Sequence, residues 1–198
     1  VAGMILLLVE GDVPLLLVAL TLLALALAMR MADLAKALPW ASMLVLGVVY
    51  VFGCWKFAIL LRALNPYWLL YGLALSWIGD IAAYYIGRTW GKHRLAPRIS
   101  PGKSWEGSIA SACGSVLFGV LFLGNLIPQT SLAHAIGLSV SANIAGQIGD
   151  LAESAMKRGA GVKDSGTLLP GHGGLLDRVD STLFVLPVIY LYLRSIAG

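Results

Sequence analysis

Ser154 to Asp180 reads SAMKRGAGVKDSGTLLPGHGGLLDRVD, and apolar sequence flanks it on both sides. Seven of its 27 residues are Lys, Arg or Asp, and glycines surround its one histidine, His172. A plain connecting loop has no need of this composition. Lys and Arg neutralise phosphate oxygens, carboxylates hold a hard cation, and glycine lets backbone N–H groups come close to a ligand. The stretch reads as a polar site for a cation and a polyphosphate, held between two hydrophobic helices.

The rest of the chain fixes the fold class. Of 198 residues, 59% are hydrophobic and 12% charged, where a soluble domain averages about 45–50% and about 25%. The mean hydropathy is +0.84. We expect an all-α, polytopic transmembrane helical bundle. About six complete spans are expected, at 13–29, 40–60, 67–86, 108–126, 134–152 and 181–197, each near the length that crosses a bilayer. Residues 1–9 are apolar but too short to span, and the chain opens on Val1, so N-terminal helices are expected to be missing. Cys54 and Cys113 lie inside apolar segments and read as small core residues. The loops at 30–39, 87–107 and 155–178 are net basic, whereas the alternate ones carry Glu10, Asp12 and Arg62 and no Lys or Arg at 127–135. By the positive-inside rule the basic loops share the cytosolic side.

Several polar groups fall at helical spacing. Asp150, Glu153, Ser154 and Lys157 stand at i, i+3, i+4 and i+7, on one helix face at the cytosolic end of the fifth span. Asp177 and Asp180 sit at i and i+3 where the sixth span begins, and Asp80 lies inside the third span with Tyr84 and Arg88 following on its face. A charge within a span is costly, about 2.5–3.5 kcal/mol near the centre on insertion scales. Acids carried by three spans to one depth are most simply explained by a shared cation, Mg²⁺. Two plainer readings stay open: Asp80 paired with Arg88 alone, and Asp180 as an acid at a helix start. Upstream, Ser100-Pro101 suits a turn, and Lys103-Ser104 precedes a helix whose first turn holds Glu106, an arrangement that can bind an anion. It is no P-loop, because Pro97 stands where that motif needs glycine.

The ordered set Ser154, Lys157-Arg158, Lys163-Asp164, Pro170, His172-Gly173-Gly174, Asp177-Arg178 and Asp180 resembles the signature of the phosphatidate cytidylyltransferases, also called CDP-diacylglycerol synthases. Similarity extends to Asp80, Ala83, Tyr84, Gly87 and Arg88 and to the block Ser100-Pro101-Gly102-Lys103-Ser104-Trp105-Glu106-Gly107. Specific motifs thus cover about residues 76–186; before them the likeness is one of hydropathy. The resemblance implies a single integral-membrane catalytic domain over residues 1–198, a nucleotidyltransferase that joins CTP and phosphatidic acid to give CDP-diacylglycerol and pyrophosphate. Asp150, Asp177, Lys157, Arg178 and Asp80 are the expected catalytic residues. Lys103, Ser104, Ser154, Arg158, Lys163, His172, Gly173, Gly174 and Arg88 are expected to bind substrate, and Asp150, Asp177 and Asp180 to hold Mg²⁺. A second, monovalent cation and a homodimer are left open. The expected setting is a bacterial inner membrane with the site facing the cytosol; the lipid bilayer is a partner and nucleic acid is not. The alternatives are a CTP-dependent lipid or polyprenol kinase, distinguished by release of CDP, and a cation-coupled transporter. The nearly uncharged outer loops count against the transporter.

Overall fold

The computed structural model describes residues 2–8, 12–166 and 174–197. It is helical apart from one small hairpin, as expected. The chain falls into two compact units, residues 1–59 and 60–198.

The first unit contains α1 (Ala2–Leu8), α2 (Val13–Ala28), α3 (Ala37–Val48), a π-helical turn (Val49–Gly53) and the start of α4 (Cys54–Leu64), whose end belongs to the second unit. Pro14 in the first turn of α2 is where a missing N–H does no harm. Ala24, Ala28 and Ala41 are buried together, with Ala37, Leu44 and Val45 packed around them, so small side chains let α2 and α3 approach closely. Lys56 donates to the carbonyl of Leu6 at 3.3 Å. Its ammonium thus satisfies one of the carbonyls that the end of α1 leaves over.

The second unit contains α5 (Pro66–Trp90), the strands β1 (Arg94–Ala96) and β2 (Ser100–Ser104), α6 (Trp105–Leu126), α7 (Leu132–Gly159), a 3₁₀ turn (Leu176–Arg178) and α8 (Asp180–Ala197). Sequence sets each helix start. Asn65 caps α5 by accepting from Tyr67 N–H, with Pro66 in the first position. Ser104 accepts from Gly107 N–H at the head of α6, and Ser131 from His134 N–H at the head of α7. α5 packs on α6, α6 on α7 and α7 on α8, and α8 returns to α5. Tyr71 is fully buried in this bundle; its ring stacks on Phe118 with centroids 6.1 Å apart, and its hydroxyl pairs with Ser139 at 2.9 Å.

Glycines mark the close crossings. A Cβ on Gly107 would lie 2.8 Å from the Ala83 carbonyl, and one on Gly149 2.8 Å from the Asp180 carbonyl. Only glycine permits α5–α6 and α7–α8 to touch there.

Three helices among the described residues are long and apolar enough to cross a membrane: 34–64, 66–90 and 105–126. The expected first span is an apolar helix of 16 residues. α7 is long, but it turns Ser139, Asn143 and Glu153 into the bundle, which lowers its apolar character without exposing those groups.

The expected loop at 87–107 takes a different form. α5 continues to Trp90, and an antiparallel hairpin follows, with Arg94 opposite Ser104 and Ala96 opposite Ser100. The Ser100-Pro101 turn expectation is therefore corrected: both residues lie in β2, and the reversal comes earlier, where Ile99 N–H donates to Ala96. Pro101 is tolerated because both strands of a two-stranded ribbon are edges.

Candidate active site

A cavity of about 740 Å³ opens between the second unit's hairpin and helices. α5 contributes Asp80, Tyr84 and Arg88, the hairpin Arg94 and Lys103, α6 Ser108 and Ser111, and α7 Gln147 and Asp150. Asp80, Arg88, Lys103, Ser104 and Asp150, expected from sequence to act together, are thus brought to one space. The deep end carries uncharged polar groups in a closed network. Asn143 donates to Ser111 at 2.8 Å and to Ser115 at 2.9 Å. Gln147 donates to Asn143 Oδ1 at 2.6 Å and accepts from the Ser108 hydroxyl. Gly79 makes room for this network, since a Cβ there would stand 2.9 Å from both Asn143 Nδ2 and Ser111 Oγ.

One acid–lysine pair lines the α7 side of the cavity, and a second group of acids around a lysine lies beyond the lining residues. Lys103 Nζ lies 2.5 Å from Asp150 Oδ2. Lys157 Nζ bridges two acids, 3.0 Å from Glu153 Oε2 and 2.6 Å from Asp177 Oδ1. Asp150 stands near enough to Asp80 and to Asp180 for their charges to repel. Asp180 also sets its carboxyl against that of Glu153, and Ser181 donates weakly to Asp80 at 3.5 Å. Asp150 thus lies within charge range of Asp80 and Asp180, Asp180 meets Glu153, and Lys157 links Glu153 to Asp177. Among the described residues no three His, Cys, Asp or Glu side chains form a ready cage for a metal. The set still suits a cation: negative charge is in excess over the bonded lysines, and Glu153 Oε1, fully buried, receives no hydrogen bond.

Asp177 has a role the sequence did not suggest. Its Oδ2 accepts from Ser165 N–H and Ser165 Oγ, both at 2.9 Å, and from Gly174 N–H at 2.7 Å. One carboxylate thereby grips both ends of the signature loop. Its partial burial works to raise the pKa, but the Lys157 bond and the Gly174 and Ser165 donors outweigh this and hold the carboxyl well below the usual carboxylate range. For Lys157, desolvation works to lower the pKa, while the bonds to Asp177 and Glu153 and their charges prevail and raise it.

The remaining expected residues are placed as follows. Ser154 donates to Asp150 at 3.4 Å, Arg158 donates to the Val162 carbonyl at 3.2 Å, and Lys163 is exposed. Arg178 is exposed in the 3₁₀ turn. His172 and Gly173 lie outside the described residues. Arg88 donates to the Tyr84 hydroxyl at 2.6 Å, which gives it a partner other than Asp80. The anion site expected at the head of α6 changes character. Gly107 N–H goes to Ser104 and Trp105 N–H to the His93 carbonyl, so Lys103, not the helix end, is the group that can meet an anion. Sequence reading passed over Arg94, Ser108, Ser111 and Gln147. Gln147 could have been found by extending the Asp150 face one turn deeper along α7; Ser108 and Ser111 lie on α6, which carries neither acid, and Arg94 depends on the hairpin.

Fold and site together define a membrane protein that is helical apart from one hairpin, with a lined cavity beside a cluster of acids and lysines. The chain belongs to the cytidylyltransferase family, whose model matches residues 3–196. It is 39% identical over 153 residues to a phosphatidate cytidylyltransferase of Bacillus subtilis (strain 168), covering 75% of this chain and 56% of that protein. A Staphylococcus haemolyticus protein of the same name is 39% identical over 153 residues, covering 77% and 59%. One from Haemophilus influenzae is 43% identical over 129 residues, covering 63% and 45%. The chain thus spans about half the length of the curated relatives it matches.

Proposed function

We propose that this chain carries the catalytic core of a phosphatidate cytidylyltransferase. A phosphate oxygen of phosphatidic acid attacks the α-phosphorus of CTP, the bond to the bridging oxygen of the β-phosphate breaks, and pyrophosphate leaves with that electron pair. The attacking phosphate is already ionised, so no general base is assigned. The protein's share of the work is to orient two anions in line and to answer their charge.

The observation that carries the reading is the pairing of acids with lysines beside a lined cavity: Lys103 with Asp150, and Lys157 with Glu153 and Asp177. Lys103, Lys157, Arg88 and Arg94 are suited to the phosphates of the two substrates. Asp150 and Asp180, with Asp80 and Asp177 beside them, are the groups that would hold Mg²⁺. When bound, that ion would supply neutralisation of the phosphate charge and polarisation of the α-phosphorus. The names of the relatives support the choice of substrates. The basic loops support a cytosolic site, where CTP is available and the lipid phosphate lies at the headgroup level.

The intact protein, supplied with phosphatidic acid and CTP labelled in the α-phosphate, is expected to form labelled CDP-diacylglycerol and one pyrophosphate per turnover. Asp150→Asn should lower turnover by at least about 100-fold, as loss of a charge-stabilising group does. Release of CDP with a doubly phosphorylated lipid would instead mark γ-phosphoryl transfer and discard the reading.

A further inference from the structure

One acidic side chain on the buried face of α7 enters that scheme only as a partner of Lys157, with no role of its own assigned. Glu153 is 1% exposed. A carboxylate removed from water is costly unless it is paired. Its Oε2 accepts from Lys157, one turn further along the same helix, and its Oε1 accepts from nothing. Lys157 reaches from there to Asp177. One ammonium group thus joins an acid locked in the interior to an acid at the edge of a loop.

We propose that Glu153 is a positioning residue: it keeps Lys157 aimed at a substrate phosphate when Asp177 turns to a cation. The inference rests on the cytidylyltransferase reading above. The two acids differ in how firmly they are held. Asp177 lies in a 3₁₀ turn and divides its oxygens among Lys157, Ser165 and Gly174. Glu153 lies well inside a 28-residue helix, and its i, i+4 spacing fixes its distance to Lys157 whatever the loop does. A lysine released from Asp177 would otherwise recover its rotamer freedom and leave the site. An ammonium has three N–H donors; two are engaged here, and departure of Asp177 leaves two for a phosphate while Glu153 holds the third. Glu153 touches no substrate in this account; it also faces the Asp180 carboxyl, and it acts on the phosphate through the lysine.

The test measures pyrophosphate binding, in competition with CTP, by the intact protein in lipid nanodiscs. Glu153→Gln keeps the shape and removes the charge. Its pyrophosphate affinity is expected to fall about tenfold, the scale of one hydrogen bond between charged groups. The same change made in a Lys157→Gln background is expected to add nothing. Equal losses in both backgrounds reveal a packing role and overturn the proposal, as does an unchanged affinity in the single variant. If Glu153→Gln fails to assemble, Glu153→Asp, which draws the carboxylate back from Lys157, must show a similar loss; wild-type affinity there overturns the proposal equally. Wild-type protein unable to bind pyrophosphate at all removes the cytidylyltransferase reading and this proposal with it.

Discussion

Lys103 has one ammonium group and two possible partners, the Asp150 carboxylate that it now touches and the phosphate it is suited to bind. A cation on Asp150 and Lys103 on Asp150 exclude one another, so the lysine competes with the metal. Lys103→Met is therefore expected to tighten Mn²⁺ binding about threefold to tenfold, the worth of a partly exposed pair, while weakening CTP. Paramagnetic resonance of Mn²⁺ reads the first effect, and unchanged or weaker metal binding counts against the competition. Asp177 makes a different prediction. Its folded pKa is depressed, so the stability it lends is present above its unfolded value, about 3.9, and is lost as pH falls through the lower folded value. The Ser165 and Gly174 amides should keep their hydrogen-exchange protection from pH 7 to about pH 5, and lose it at both pH values in Asp177→Asn. Protection that already fades between those pH values would place the grip elsewhere. At this scale the sequence was legible where a charge stood out against apolar neighbours, as with Asp80 and Asp150. Glu153 was not, because Glu and Lys four apart is also the pattern of a solvated helix surface. What buries it is α8 lying on α7 across Gly146 and Gly149.

The hairpin and the α5–α6 crossing are the elements that shape the cavity. Glu106 ties the hairpin down: its carboxylate accepts from His93 N–H at 3.3 Å and pairs with His93 Nδ1 at 2.7 Å. The strands are short and interrupted by proline, too brief for any alternation to be read from sequence, so the hairpin was invisible there. The helices on either side were plain from their apolar runs and from Asn65-Pro66 and Ser104 at their starts. A Cβ added to Gly107 would stand 3.2 Å from the Gly87 Cα and 2.8 Å from the Ala83 carbonyl oxygen. Gly107→Val must push α6 from α5, at roughly 1–3 kcal/mol of overpacking strain. Thermal unfolding in detergent should show the loss, and activity should fall with it; wild-type stability in this variant would mean that the crossing is looser than described.

For the molecule as a whole, orientation is the property to test. Lys163→Cys sits in a net-basic loop and Thr130→Cys in an uncharged one, and both positions are accessible in part. A membrane-impermeant thiol reagent applied to inside-out vesicles should label the first and spare the second, with the reverse in right-side-out vesicles. Labelling of both from one side would leave too few crossings for the arrangement of basic loops. Cys113 is exposed on α6 and needs to be replaced by serine beforehand. Here the sequence carried the class of fold, and the number of crossings is what the labelling counts. Hydropathy treats α7 as a weak span because it sums polar groups without asking which way they face. Ser139 and Asn143 point inward and find partners there, which only the packed bundle makes plain.

The wide π-helical turn at Val49–Gly53 amounts to a surplus of one residue in an otherwise regular rod. The turn absorbs that residue and keeps its flanks in register, whereas deleting a residue from the regular winding between it and Lys56 would rotate everything beyond by about 100°. Lys56 would then swing away from the Leu6 carbonyl, and the end of α1 would lose its cation. Chain length at that one point is therefore a structural variable in its own right, one that no substitution can imitate.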